Sequence, residues 1–142
     1  MNYYADGGQA LPPMNQELPP SEIIMADLNR QKMSPEEAQK TLLYLGDLSK
    51  QGKLFILQEN NTMILLISIG EGIVEAHLFS LDNALTQARS LKVVVDELKR
   101  SHLKRMYSNV DDDTPKFLAV MQKFGIETQQ SDNPDYVWMA DL

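Results

Sequence analysis

Three apolar runs follow one another in the middle of the chain: Leu54 to Gln58, Met63 to Ile69, and Ile73 to Phe79. They are short, rich in branched residues, and separated by Asn60-Asn61 and Glu71-Gly72. Runs of this length between two-residue turn signals predict a hairpin extended by a third antiparallel strand. The apolar spacing then lengthens. Leu85, Ala88, Leu91, Val94, Val95 and Leu98 recur at helical intervals, so residues 84–100 read as a helix capped by Asp82 or Asn83. Leu103 to Tyr107 reads as the next strand. Thr114-Pro115 is a cap followed by proline, and Phe117, Leu118, Val120 and Met121 give the buried side of a helix that stops at Gly125. Asp132 to Asp135 is a turn before a last strand over Tyr136 to Met139.

Two helices are predicted ahead of the hairpin. Ser21 to Gln31 places Ile23, Ile24 and Leu28 on one face, with Ser21 as its cap. Ser34, Pro35 and Glu37 form a capping box, after which Leu42, Leu43 and Leu45 give an apolar face and Gly52 ends the helix. Residues 1–20 differ. They hold Gly7-Gly8, Pro12-Pro13 and Pro19-Pro20 without periodicity, which predicts an extended arm with little apolar surface to offset its ordering entropy. The expected organisation is an arm over 1–20 and one domain over 21–142. The fold class is α/β, a mixed, mainly antiparallel sheet flanked by helices.

Composition narrows the function classes. The 142 residues suffice for one real core, and no apolar run reaches the ~18 residues of a membrane helix. Polar Met1 to Gly8 does not read as a secretory signal. The chain has no cysteine, which removes disulfides, thiolate metal sites and cysteine nucleophiles together. A net charge of -7 argues against broad nucleic-acid binding. Yet Arg89, Lys92, Lys99, Arg100, Lys104 and Arg105 supply six of the thirteen basic residues, and form a candidate partner-binding face. Asp111-Asp112-Asp113 reads as an acidic approach to a helix, with no spaced ligand set for a cation. His77 reads as a pleat residue, and His102 belongs to no motif. The eight methionines are scattered and read as core filler.

The order of elements from residue 21 to 142 resembles the GNAT superfamily of N-acetyltransferases. The best local match is Thr114 to Ile126, TPKFLAVMQKFGI, which is similar to the family's helix ending at a glycine. That resemblance implies two helices before a hairpin, a fourth strand splayed from a fifth, and coenzyme A held at the start of the helix between them. It also implies where the chain departs. The family's pyrophosphate loop carries glycines after a basic or amide residue, whereas this chain has Ser80-Leu81-Asp82-Asn83-Ala84. The family's tyrosine, which protonates the leaving thiolate, aligns with Met121, and its asparagine with Thr114. Separately, Tyr4-Ala5-Asp6-Gly7-Gly8 is similar to the N-termini of phage structural proteins.

The expectation is therefore a non-catalytic structural or assembly protein, a phage virion component in the virion or host cytoplasm. It carries no catalytic, cofactor or metal site, and binds other subunits through residues 1–20 with Tyr3, Tyr4 and Leu11 as anchors. The alternative is an active acyl-CoA-dependent N-acetyltransferase using acetyl-CoA. A small host-directed regulator is a third reading.

Overall fold

The computed structural model describes residues 3–4, 10–11, 17–109 and 114–142. Strands β1 (Tyr3–Tyr4) and β2 (Ala10–Leu11) pair antiparallel, with Tyr3 opposite Leu11. The arm thus contains a backbone ladder that its lack of periodicity did not predict. The side chains of these four residues lie outside the described ones, as do Asp111 to Asp113.

Helices α1 (Pro20–Arg30) and α2 (Pro35–Lys50) come next. Pro20 stands in the first turn of α1 and Pro19 is its cap, so Ser21 does not cap it. For α2 the reading holds: the Glu37 amide donates to Ser34 Oγ at 3.2 Å. Leu45 and Leu48 of α2 are buried, but Leu43 and Tyr44 point outward.

Strands β3 (Leu54–Glu59), β4 (Thr62–Gly70) and β5 (Ile73–Ser80) form the antiparallel meander. Asn60 takes the positive φ of 52° that a two-residue hairpin turn demands. Helix α3 (Ala84–Arg100) crosses over to β6 (Arg105–Ser108), which pairs parallel with β5. Helix α4 (Thr114–Lys123), β7 (Thr128–Gln130) and β8 (Trp138–Asp141) complete the chain. The six-stranded sheet runs β3-β4-β5-β6-β8-β7, with β8 inserted between β6 and β7. β5/β6 is its parallel junction.

Both faces of the sheet are covered, which explains why β4 reads as an unbroken apolar run. Ile64 and Leu66 face α3 and α4 with Val74, Ala76, Leu91 and Val95. Met63, Leu65 and Ile67 face α1 and α2 with Ile23, Leu28 and Ala38. Each fully buried Leu or Ile contributes roughly 1.5–3 kcal/mol of transfer free energy. On α3 the buried stripe is Gln87, Ser90, Leu91, Val94, Val95 and Leu98, while Leu85 and Ala88 are exposed. The stripe differs from the expected one only in its first two turns, where Ser90 faces inward and its Oγ accepts from Asn60 Nδ2 of the β3–β4 turn at 3.0 Å.

Candidate functional site

The parallel junction is short. Its last pair is Glu75 with Tyr107, after which β5 continues to Ser80 without a β6 partner. Ser108 marks the parting. Its carbonyl accepts from the Val137 amide at 3.0 Å on the β8 side, while its hydroxyl donates to the Ala76 carbonyl at 2.5 Å. One residue thus closes the ladder on both flanks, and past it the strands diverge. The gap holds a cavity of about 260 Å³ lined by His77 and Phe79 of β5, Ser108 and Asn109, with Leu28 of α1 and Thr41 of α2 above.

Polar side chains gather on the α1/α2 face of this junction. Glu75 and His77 alternate along β5 and so share that face. His77 Nε2 lies 2.7 Å from Glu75 Oε2, and the Tyr136 hydroxyl donates to Glu75 Oε1 at 2.7 Å. The His77 hydrogen bond is the leading reason that the Glu75 carboxyl sits below its ordinary range; burial opposes it and the Tyr136 hydrogen bond assists it. Glu75 is therefore ionised at neutral pH. A carboxylate only accepts, so the proton in this contact sits on His77 Nε2, and in the neutral ring the lone pair is then on Nδ1. Burial, then the bond to Glu75, pushes the Tyr136 phenol well above its usual range, so it stays a donor. Tyr136 stacks on Tyr107 with ring centres 5.3 Å apart. The Tyr107 hydroxyl donates to Asp132 Oδ1 at 2.7 Å, and Arg105 joins Asp132 to Asp141.

The β5–α3 loop spends its amides internally. The Ser80 amide donates to buried Asp27 Oδ2 at 3.2 Å, Leu81 to the Asn61 carbonyl at 2.9 Å, and Asp82 to Ser80 Oγ at 3.3 Å. At the start of α3 the Thr86 amide meets Asn83 Oδ1 at 2.9 Å, so Asn83 is the cap. Asp82 instead turns back, its Oδ2 accepting from the Asn61 amide at 3.0 Å and from Thr62 Oγ1 at 2.7 Å. What remains for an anion at this helix start is the short run of amides after Asp82, with no basic residue in the loop. The loop therefore offers an anion few free donors.

The basic set of the sequence does not form one surface. Arg89 and Lys92 stand on the exposed side of α3. Arg100 pairs with Glu97 at 2.8 Å, and Lys99 Nζ donates to the Phe124 carbonyl at 2.7 Å. Lys104 lies along Gly72, so close that a β-carbon there would meet its Cγ at 3.1 Å. Arg105 projects from the opposite sheet face, bound to Asp141 at 2.7 Å. His102 and Lys104 edge a separate cavity of about 520 Å³ walled by Phe55, Leu57, Leu66 and Leu103, away from the splay. Met121 is fully buried in the α3/α4 core. Among the described residues no group of three or more acidic or histidine side chains is placed to hold a metal ion, and no helix is long and apolar enough to cross a membrane.

Sequence reasoning missed Glu75, His77, Ser108 and Tyr136 as a group. The signal available was the Glu-x-His alternation, which puts both side chains on one face. Tyr136 comes from 61 residues away and had none.

No protein-family model matches the chain, and no curated protein matches it. Solved structures do. An N-acetyltransferase from Staphylococcus aureus Mu50 aligns with a TM-score of 0.54 at 13% identity, over 85% of this chain and 90% of that one. The N-acetyltransferase PseH of Campylobacter jejuni, solved with acetyl coenzyme A, aligns with a TM-score of 0.53 at 16% identity, over 89% and 92%. The spermidine N-acetyltransferase SpeG of Vibrio cholerae gives 0.54 at 13% identity, over 85% and 86%. The fold is thus the one that the element order resembled. These matches correct the expectation of a non-catalytic structural or assembly protein of a phage particle: the relatives in shape are N-acetyltransferases. That expectation leaned on the missing loop glycines and on Met121 at the tyrosine position for the lack of catalysis, and on arm composition and a five-residue likeness for the phage assembly role.

Proposed function

We propose that the chain is an acyl-CoA-dependent N-acetyltransferase, with the acetyl thioester entering the β5/β6 splay and an amine acceptor meeting Glu75 and His77. The observation that carries this reading is the parting of β5 from β6 after Glu75 and Tyr107, with His77 lining the cavity that opens there. The fold shared with N-acetyltransferases supports it.

The chemistry follows from the residues. An amine is a nucleophile only as the free base, so its ammonium form must first lose a proton. His77 Nδ1 takes that proton, and ionised Glu75 stabilises the imidazolium through Nε2. The nitrogen then attacks the thioester carbon; the C–N bond forms, the C–S bond breaks, and a second amine proton leaves as the thiolate becomes thiol. Tyr136 holds Glu75 from the other side and fixes the direction of the pair. Tyr107 is already bound to Asp132 and does not protonate the thiolate. The thiolate takes its proton from solvent or from His77.

Because the chain has no cysteine, released thiol can be read with a thiol-reactive dye free of protein background. With acetyl-CoA and a panel of primary amines, thiol release above the uncatalysed rate is expected. His77→Ala should lower kcat/KM about 100-fold or more, the usual contribution of a positioned base. Turnover unaffected by His77→Ala, or no turnover with any amine, overturns the reading.

A further inference from the structure

We infer that the donor is recognised through its acyl-pantetheine arm and gains almost nothing from its pyrophosphate and nucleotide. This rests on the transferase reading, whose site it deepens. Tight phosphate binding uses free backbone amides, a helix N-terminus or cations aimed at the oxygens. Here the amides of Ser80, Leu81 and Asp82 already have acceptors in the protein, and so does that of Thr86, which leaves only the short run at Asn83 to Leu85, with no cation in the loop beside it. Two carboxylates stand in the same place. Asp27 is fully buried beneath the loop and takes the Ser80 amide, the kind of donor an anion would otherwise draw on. Its charge partner, Arg30, is held to it at 2.6 Å. Asp82 sits within the loop and is tied to Asn61 and Thr62. The exposed side chains here are Leu81, Asn83, Ala84 and Leu85, the two leucines 36% and 64% exposed, so the rim carries no cation where a phosphate binder would.

The arm, by contrast, finds what it needs. Past Glu75 the β5 edge on the β6 side lacks a strand partner, and a pantetheine arm carries two amides that can pair with such an edge. The 260 Å³ cavity lies below the ~300–1,000 Å³ usual for drug-sized ligands, a size for the acyl end alone.

The test compares acetyl-CoA with acetyl-pantetheine, by calorimetric binding and by thiol release, and adds adenosine 3′,5′-bisphosphate as a competitor. The two donors should bind within about threefold of each other, under 1 kcal/mol, and millimolar bisphosphate should displace neither. Leu85→Lys, an exposed change that adds a cation at the start of α3, should tighten acetyl-CoA several-fold and leave acetyl-pantetheine unchanged. Acetyl-CoA binding tenfold or more tightly than acetyl-pantetheine, ~1.4 kcal/mol, overturns this inference and leaves the transferase reading standing. Failure of both donors to bind or turn over overturns the transferase reading and this inference with it.

Discussion

Glu75 links the folded state to its chemistry through a single carboxylate. It accepts from His77 and from Tyr136, and its pKa lies below the ordinary value of 4.5. A carboxyl depressed on folding adds stability that is fully present above the unfolded-chain value and is lost as pH falls through the folded one. The stability gap between wild type and Glu75→Gln should therefore be widest near neutral pH and shrink as the pH falls below the ordinary value of 4.5. Chemical denaturation across that range reads it, and a gap that stays constant would contradict the ionised role. The pair was half legible in the sequence. Alternation along a strand puts Glu75 and His77 together, but the same alternation is what any solvated pleat shows. Only the fold brings Tyr136 against them.

At the level of elements, α3 shows how a correct helix can keep most of its predicted face, with Leu91, Val94, Val95 and Leu98 buried, and still depart from it in its first two turns. Its span was legible from the spacing of six apolar residues, and Asn83 was one of two caps foreseen. Leu85 and Ala88 nevertheless lie outside, while Gln87 and Ser90 turn inward. A polar residue facing the core looks like an error until its partner is known, and Asn60 lies 30 residues away. Leu98→Ala, at a fully buried site, should cost ~2–5 kcal/mol, whereas Leu85→Ala should stay within ~0.5 kcal/mol. Urea unfolding of the two variants separates the faces, and equal losses would refute the assignment. β7 escaped the sequence for another reason: Thr128-Gln129-Gln130 is a short, polar edge strand.

For the molecule as a whole, the boundary between arm and domain falls within a few residues of Pro20. The Leu18 amide donates to Asn61 Oδ1 at 2.8 Å, its carbonyl accepts from Gln58 Nε2 at 2.9 Å, and its side chain packs on the α1/α2 core. Composition alone could not show this, because Leu18 stands among prolines and polar residues. Starting the chain at residue 17 should leave the melting temperature nearly unchanged, since the segment removed holds little apolar sequence. Starting it at residue 20 should lower Tm by several degrees, at about 2–8 °C per kcal/mol for domains from below to above this size. Calorimetry on both truncations decides, and equal melting temperatures would mean that Leu18 contributes nothing.

The sheet consists of two antiparallel leaves, β3-β4-β5 and β6-β8-β7, joined by a short seam of three residue pairs, with the Lys104 amide on the Gly72 carbonyl at one end and the hydroxyls of Ser108 and Tyr136 reaching β5 at the other. The first leaf is a meander of adjacent strands, whose contacts close short loops and form early. The seam joins Ile73 to Arg105 and Glu75 to Tyr107 only after the whole α3 crossover has found its place. If closing it sets the folding rate, Ser108→Ala should slow refolding; unchanged refolding with faster unfolding would place the seam after the barrier and refute this order. Stopped-flow refolding and unfolding arms distinguish the two. The same seam is the line along which the two leaves would part, so the gap proposed for the donor lies at a mechanical boundary within the sheet.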